Sequence, residues 1–373
     1  MNRKKRKILL LFYEPYKSGI TRHILSILRV FQGEDIEFRV LVSSDDSRIP
    51  KALKEVLPHH QLTMVPRSRF FSITGLLTAR KIISEHDIEQ IHIHNLQSAL
   101  WGYASTFFTA CSTVIFTPHV DMVNGDSTAG WISGFFKILS PFTTSFVAVS
   151  PSQKRRFSSR NIAPEKKIKY ISNHIDGEEI CSAIHSPIST ATDLTLPPAT
   201  ILLLQVGRLD RQKNPSFLLR VIEKVVKREK KCHFLLLGDG PLRKTIQEQI
   251  EEYKLSRHIS LHPYRQDIFH LLNKADIVTS TSLWEGLPYS LLEAAFLKKP
   301  IVATDIPGHT DLIADDRSGF LASTEQEFAD KLCLLVQSGK LRAKMGENCY
   351  KKNRNLFDLK NMKAPLATLY GGS

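Results

Sequence analysis

The sequence predicts an α/β protein of two doubly wound parallel-sheet domains in tandem, and three observations predict it. Short, near-continuously apolar runs alternate with helical stretches along most of the chain, the pattern of strands buried on both faces. The alternation stops once, in a segment rich in Ser, Thr and Pro, and then restarts. The 373 residues are too many for one ordinary core and enough for two.

In the first half the strand-like runs are Ile8–Tyr13, Glu37–Ser43, Gln90–His94, Ser112–Thr117, Ser145–Ser150 and Lys167–Ser172. Helical stretches lie between most of them, at Thr21–Phe31, Ile73–His86, Ser98–Cys111 and Pro151–Ser159. Ser186–Thr200 has no usable periodicity and reads as the linker. Beyond it come a strand at Ile201–Val206, a helix at Pro215–Glu229, a strand at His233–Leu237 and a helix at Pro241–Lys254. Ile259–His262, Ile277–Ser280 and Pro300–Ala303 continue the series as strands. The expected organisation is a first domain over residues 1–185, a linker over 186–200 and a second domain over 201–354. Two such domains offer ligands a cleft at the carboxyl ends of their strands.

Composition narrows the class. With 42% apolar and 24% charged residues the chain is globular, neither disordered nor membrane-spanning. Gly130–Val149 comes nearest to a spanning run, and Lys137 and Pro141 interrupt it. The basic start, Met1–Lys7, leads directly into Ile8–Phe12 and then Tyr13, Glu14 and Pro15, without a small-residue cleavage site. It reads as a first strand rather than a signal peptide. Cys111, Cys181, Cys232, Cys333 and Cys349 show neither metal-like nor disulfide-like spacing and suit a reducing, cytoplasmic compartment. The net charge of +14 divides evenly, +7 in residues 1–195 and +7 beyond. An even spread excludes a dedicated nucleic-acid domain and suits a phosphate-rich substrate or an anionic membrane surface.

Three loops of the second half carry the chemistry. After Ile201–Val206 comes Gly207-Arg208-Leu209-Asp210-Arg211-Gln212-Lys213-Asn214-Pro215, which places two cations before a helix whose N-terminus also favours anions. Arg208 and Lys213 there would neutralise a diphosphate without a metal; solvated loop charges are the alternative. Leu237-Gly238-Asp239-Gly240-Pro241 follows another strand, and its Gly-x-Gly alone indicates no more than a tight turn. The third loop is Ser282-Leu-Trp-Glu285-Gly286-Leu287-Pro288, continuing through Glu293. Pro288 suits a first helical turn, Gly286 allows close backbone approach, and Glu285 and Glu293 flank the helix start. Two carboxylates around an anion-ready helix end fit a polyhydroxy ligand, whose vicinal hydroxyls donate to them.

Taken together, Gly207-Arg208…Lys213-Asn214, Gly238-Asp239-Gly240-Pro241 and Glu285, seven residues, Glu293 resemble glycosyltransferase family 4, with its GT-B fold and retaining mechanism. Tyr264-Arg265-Gln266-Asp267-Ile268 and Ser318-Gly319-Phe320-Leu321 fit that family's later loops. The resemblance implies that Arg208 and Lys213 hold the donor diphosphate, that Glu293 accepts the ribose hydroxyls and that Glu285 contacts the transferred sugar. It implies that Arg265, Asp267 and Ile268 hold the base, mainly through backbone, and that Gly207, Gly238, Gly240, Gly286 and Leu287 line the donor site. The donor is a nucleoside diphosphate sugar, expected to be a UDP-sugar, and no metal or other cofactor is expected. The acceptor is a glycan or a lipid-linked glycan, and the Glu-Gly-Leu-Pro form at Glu285–Pro288 is similar to enzymes of bacterial polysaccharide assembly. A non-catalytic scaffold or coat protein and a GT-B sugar-nucleotide epimerase are the alternatives.

The first half resembles the family less closely. Lys17-Ser18-Gly19-Ile20-Thr21-Arg22-His23 stands for its first glycine loop, with Ser18 where a second glycine is usual and Gly19 facing the donor. Phe116-Thr117-Pro118-His119 places His119 where the family has a histidine near the reacting sugar. Val149-Ser150-Pro151-Ser152 also follows the pattern, as does Ile171–Asp176 with His174 in place of the usual glycine. Residues 355–373 resemble the tail helix that returns to the first domain. His92 and His94 flank a strand end, but without a suitably spaced carboxylate they are not expected to bind metal. Arg67–Phe71 and Trp131–Lys137 mix aromatics with cations, as helix core with solvated ends or as a patch for an anionic bilayer at the inner face of the membrane.

Overall fold

The computed structural model describes residues 5–14, 19–67, 71–119, 127–187 and 196–371. The chain folds as two compact units, Met1–His174 with Leu359–Ser373 and Ile175–Asp358. Each is a Rossmann-like layer of parallel strands covered by helices, as the alternation predicts.

The first unit holds β1 (Arg6–Tyr13), β2 (Ile36–Ser43), β3 (Leu62–Val65), β4 (Gln90–His94), β5 (Thr113–Thr117), β6 (Ser145–Ala148) and β7 (Ile168–Tyr170). They form a seven-stranded sheet in the order β3-β2-β1-β4-β5-β6-β7. Every pairing is parallel. Ile8 through Phe12 of β1 are all fully buried. Their side chains alternate between two cores, Leu9 and Leu11 on one face of the sheet, Ile8, Leu10 and Phe12 on the other. That is why the strand reads as unbroken apolar sequence. β3 went unread because it is a four-residue edge strand with only Val65 buried.

The second unit holds β8 (Ile201–Val206), β9 (Cys232–Leu237), β10 (Ile259–His262), β11 (Ile277–Ser280), β12 (Ile301–Thr304) and β13 (Phe320–Ala322). The sheet order is β10-β9-β8-β11-β12-β13, again parallel throughout. Leu202 and Leu204 enter one core and Leu203 the other. β13 falls where the sequence suggests only a loop, since three residues are too short a run to show a period.

The boundary between units differs from the expected linker. Ser186–Thr200 is where the sequence changes character, but the second unit begins at Ile175. Ile175 N–H donates to Leu356 O (2.9 Å) and Gly177 N–H to Phe357 O (3.1 Å). The helix Gly177–His185 then buries Ile180 in the second unit's core. A Cβ on Gly177 would stand 2.7 Å from the Phe296 ring, so that glycine admits the close packing. Much of the Ser/Thr/Pro segment, residues 188–195, lies outside the described residues.

The tail returns to the first unit at Leu359. Its helix Lys360–Leu369 buries Met362 and Leu366. Tyr370 is fully buried against Phe31 and Phe38. Its hydroxyl pairs with His92 Nδ1 at 2.8 Å, and its carbonyl accepts from Arg6 and Gln90. Among the described residues no helix is long and apolar enough to cross a membrane.

Candidate functional site

In each sheet the order reverses once, between β1 and β4 in the first unit and between β8 and β11 in the second. Loops leaving such a switch point diverge and open a crevice at the carboxyl ends of the strands. Most of the sequence-predicted residues sit at or beside these points, in two groups, one in each unit.

In the second unit the loop after β8 carries Gly207, Arg208 and Lys213, and the loop after β11 carries Glu285 and Gly286. The two are tied together. Leu283 N–H donates to Gln212 O (2.8 Å), Gln212 Nε2 to Trp284 O (3.0 Å), and Thr281 Oγ1 to Lys213 O (2.9 Å). Gln205, inside β8, donates to Thr281 Oγ1 at 3.0 Å. Asp210 organises the first loop: its carboxylate takes Arg208 Nη2 at 2.7 Å and the Lys213 N–H at 3.1 Å. Asn214 then adopts a left-handed conformation (φ 47°) at the N-cap position of the helix Pro215–Arg228, without a side-chain cap bond; the helix's first residue lacks an N–H to satisfy.

Lys213 Nζ forms an ion pair with Glu285. The Glu285 carboxylate is buried and also accepts from Ser282 Oγ at 2.7 Å. Burial alone would push this carboxyl up; the Lys213 charge, with His309 and the hydrogen bonds from Lys213 and Ser282, outweighs it and holds the group below its ordinary value. Behind the loop stands His309. Its Nδ1–H donates to Thr304 O (2.8 Å), which leaves Nε2 to accept from Ser280 Oγ (3.1 Å). Burial lowers its pKa to about 4, against the raising effects of Glu285 and the Thr304 carbonyl, so the ring is neutral near pH 7. Gly308 precedes it at φ +89°, and a Cβ there would lie 2.5 Å from Gly286 O. Only glycine lets that backbone pass beneath Glu285–Gly286.

Glu293 is buried in the helix Tyr289–Phe296, which starts directly after the Glu285 loop, and Leu287 is buried in the turn leading into it. Gly238 and Gly240 have a role beyond the tight turn read from sequence. A Cβ at Gly238 would meet Gly207 O at 1.8 Å, and one at Gly240 would meet Leu209 O at 2.5 Å. They let the β9 loop lie directly on the loop that carries Arg208. Leu209 N–H donates to Asp239 O across this seam. Arg265 and Asp267 stand apart from this group, beyond β10, two strands along from β8. They form a forked pair at 2.8 and 2.9 Å, and the Arg265 hydrogen bonds hold the Asp267 carboxyl below its usual range. Ile268 is buried at the start of the next helix.

In the first unit, residues 15–18 lie outside the described residues, and Gly19 begins the helix Gly19–Val30. Glu14, buried at the end of β1, accepts from the Thr21 N–H (3.0 Å) and hydroxyl, fixing that helix start. Four histidines gather at the switch point. His94 Nδ1 and His119 Nε2 are 3.2 Å apart, and the rings of His23 and His119 meet edge to face at 4.9 Å. His23 Nδ1 donates to Asn173 Oδ1 at 3.1 Å. His92 is held on both nitrogens, by Tyr370 and by Thr117 (both 2.8 Å). Burial first, then mutual repulsion, keeps His92, His94 and His119 well below the ordinary histidine pKa. Burial lowers His23 to about 4. All four are neutral near pH 7. His23, His94 and His119 bring ring nitrogens within 4.8 Å of one another, close enough to hold a cation, whereas the sequence singled out His92 with His94. His23, Asn173 and His309 were not named from sequence as site residues, because each matters through a partner far away in the chain. Asp210 and Ser282 act on neighbours two or three residues away, inside the loops whose charges were read as ligand contacts.

Residues 17–179 match the family described as Glycosyltransferase Family 4, and residues 191–352 match Glycosyl transferases group 1. The chain is a family 4-like glycosyltransferase. It is 22% identical over 367 residues to the UDP-Gal:alpha-D-GlcNAc-diphosphoundecaprenol alpha-1,3-galactosyltransferase of Escherichia coli, covering 95% of this chain and 94% of that one. A poly(ribitol-phosphate) alpha-N-acetylglucosaminyltransferase of Staphylococcus aureus is 33% identical over 144 residues, 38% of this chain and 29% of its own length. In fold, the transferase is similar to Anabaena HepE, crystallised with UDP and glucose (TM-score 0.82, 18% identity, 98% and 99% of the two chains). It is also similar to the pneumococcal O-GlcNAc transferase GtfA, crystallised with UDP and GlcNAc (TM-score 0.76, 11% identity, 99% of each chain). These likenesses establish the GT-B fold.

Proposed function

We propose that this transferase moves a sugar from a UDP-sugar to a hydroxyl of a glycan or lipid-linked glycan, with retention of anomeric configuration. The work belongs to cell-surface polysaccharide or glycoconjugate assembly on the cytoplasmic side of the membrane. The observation that carries the reading is the Arg208–Asp210–Lys213–Glu285 constellation at the β8/β11 switch point. The UDP held by HepE and GtfA, and the UDP-Gal and diphosphoundecaprenol in the E. coli relative's name, support the choice of donor and acceptor class.

Each residue has a task in this reading. Lys213 has three N–H donors and spends one on Glu285, leaving two for diphosphate oxygens. Arg208, oriented by Asp210, adds a planar fork for the same phosphates. Glu285, kept ionised by Lys213, accepts from hydroxyls of the transferred sugar, and Glu293 accepts from the ribose. Arg265, Asp267 and Ile268 frame the base through their backbone, and the neutral His119 meets a sugar hydroxyl. As the bond from the anomeric carbon to the β-phosphate oxygen breaks, charge gathers on the diphosphate, so the two cations stabilise the transition state more than the ground state. The leaving phosphate takes the proton of the acceptor hydroxyl, whose oxygen bonds the same face of the sugar. No protein nucleophile and no metal takes part.

The test is transfer from a panel of UDP-sugars to short-chain lipid-linked and free glycans, with the product's anomeric configuration read by NMR. A retained configuration is expected. An inverted one overturns the mechanism, and turnover of the donor without acceptor, by hydrolysis or isomerisation, overturns the transferase reading.

A further inference from the structure

Exposed large apolar side chains are distributed unevenly. Among the described residues, only Leu283 and Leu334 of this set lie in the second unit; all others lie in the first. The segments flagged from sequence account for part of it. In Trp131–Lys137, Phe136 turns inward onto Phe116 and Phe146 while Trp131 stays exposed. Arg67 is tied to Tyr13 and Asp45, and residues 68–70 lie outside the described residues.

A more pronounced feature was not visible in sequence. Phe107 and Phe108 end the helix Leu96–Thr106, and Phe142 arrives from a turn 34 residues later, Ser140–Phe142. Phe107 and Phe142 stack edge to face with centroids 5.8 Å apart, both half exposed. Phe108 is 97% exposed. Its φ of +61° is a left-handed conformation that crowds the Cβ of any residue but glycine. A bulky aromatic held in that conformation and turned wholly to water gains nothing from the fold of its own chain.

Charge lies beside this tip. Phe142, Thr143, Lys166 and Lys167 line a groove of about 590 Å³. Lys167 Nζ donates to Ser140 O at 2.8 Å, which pins the lysine to the turn that presents Phe142. Lys137 and Lys169 are exposed on neighbouring elements. Glu165, the nearest acid in sequence, is engaged by Lys154 and Ser158, and among the described residues no acid lines the groove. An aromatic tip with a cationic flank is complementary to a bilayer interface, where rings enter the headgroup layer and ammonium groups meet lipid phosphates.

We infer that the Phe107–Phe108–Phe142 tip with Lys166 and Lys167 is a docking surface for an anionic lipid bilayer. It rests on the proposed use of a lipid-linked acceptor, since it would hold the enzyme where such an acceptor resides. The experiment is co-sedimentation of the full chain with vesicles of phosphatidylcholine alone or mixed with phosphatidylglycerol, at low and high salt, without donor or acceptor. Binding to the mixed vesicles, weakened by salt, is expected. Phe107→Ser/Phe108→Ser and Lys166→Glu/Lys167→Glu should each lower the partition coefficient about tenfold or more, with melting temperature and UDP affinity unchanged. No preference for anionic vesicles, or full binding by both variants, overturns the inference. So does self-association that the Phe variant abolishes, because the surface then belongs to a second copy. Vesicle binding without glycosyl transfer would refute the proposed activity and leave this surface standing. Transfer to a soluble acceptor without vesicle binding would do the reverse.

Discussion

Replacing Lys213 by Met tests the wiring of the donor site through stability. The stem is kept and the charge removed, so Glu285 remains buried with the Ser282 hydrogen bond as its counterweight, the His309 ring being neutral near pH 7. Breaking a buried pair by removing one partner costs about 3–5 kcal/mol. Lys213 keeps 21% of its side-chain exposure, which favours the lower end, so about 3 kcal/mol is expected near pH 7.5. For a unit of this size that lowers the melting temperature by roughly 6–12 °C. The pH dependence should invert. In the wild type Glu285 titrates below the ordinary 4.5, so its stabilising effect is complete above that value and is lost as the pH falls through its lower, folded value. In Lys213→Met, burial dominates and raises the same pKa above 4.5. The variant's deficit is then small at acid pH and grows as the pH rises through the new value. Calorimetric melts of wild type, Lys213→Met, Glu285→Gln and the double variant at pH 5 and pH 8 read both effects. An equal deficit at the two pH values, or a double variant as unstable as the sum of the singles, would refute the coupling of these two residues.

Arg208→Ala should weaken UDP binding by about 10- to 100-fold, the worth of a charge-assisted contact, with little change in melting, since its side chain is 42% exposed; titration calorimetry and a thermal scan check both. Gly238→Ala forces a Cβ to 1.8 Å from Gly207 O, so the β9 loop must lift from the β8 loop. Stability should fall by about 2 kcal/mol or more and UDP affinity with it, read by denaturant titration and calorimetry. Tyr370→Phe removes the hydroxyl from buried His92 Nδ1 and should lower the first unit's stability by about 1–3 kcal/mol without touching UDP affinity.

The sequence exposed what is periodic or local. β1 and β8 are unbroken apolar runs, and the loops after β8 and β11 carry their charges in one short stretch each. What escaped it was long-range. Lys213 and Glu285 were read as two separate ligand contacts, and the structure joins them across 72 residues. The glycines of Gly238-Asp239-Gly240 suggested a turn, whereas their close approach to Gly207 and Leu209 decides why no side chain is tolerated. The histidine cluster draws on the first helix, β4 and the loop after β5, so the spacing of His92 and His94 within β4, from which no metal site was expected, did not show it; His92 itself is held by Tyr370 and Thr117. The unit boundary was sought where composition changes, but packing of Ile175 and Ile180 sets it earlier.

The central claim is that the loops after β8 and β11, with Glu293 behind them, form a nucleoside diphosphate site. Calorimetric titration of the full chain with UDP, GDP and ADP, repeated on Glu293→Ala, addresses it most directly. The account predicts saturable binding of UDP, weaker or absent binding of GDP and ADP, and loss of UDP binding in the variant at an unchanged melting temperature. Failure of all three nucleotides to bind at millimolar concentration, or undiminished binding by Glu293→Ala, would contradict it.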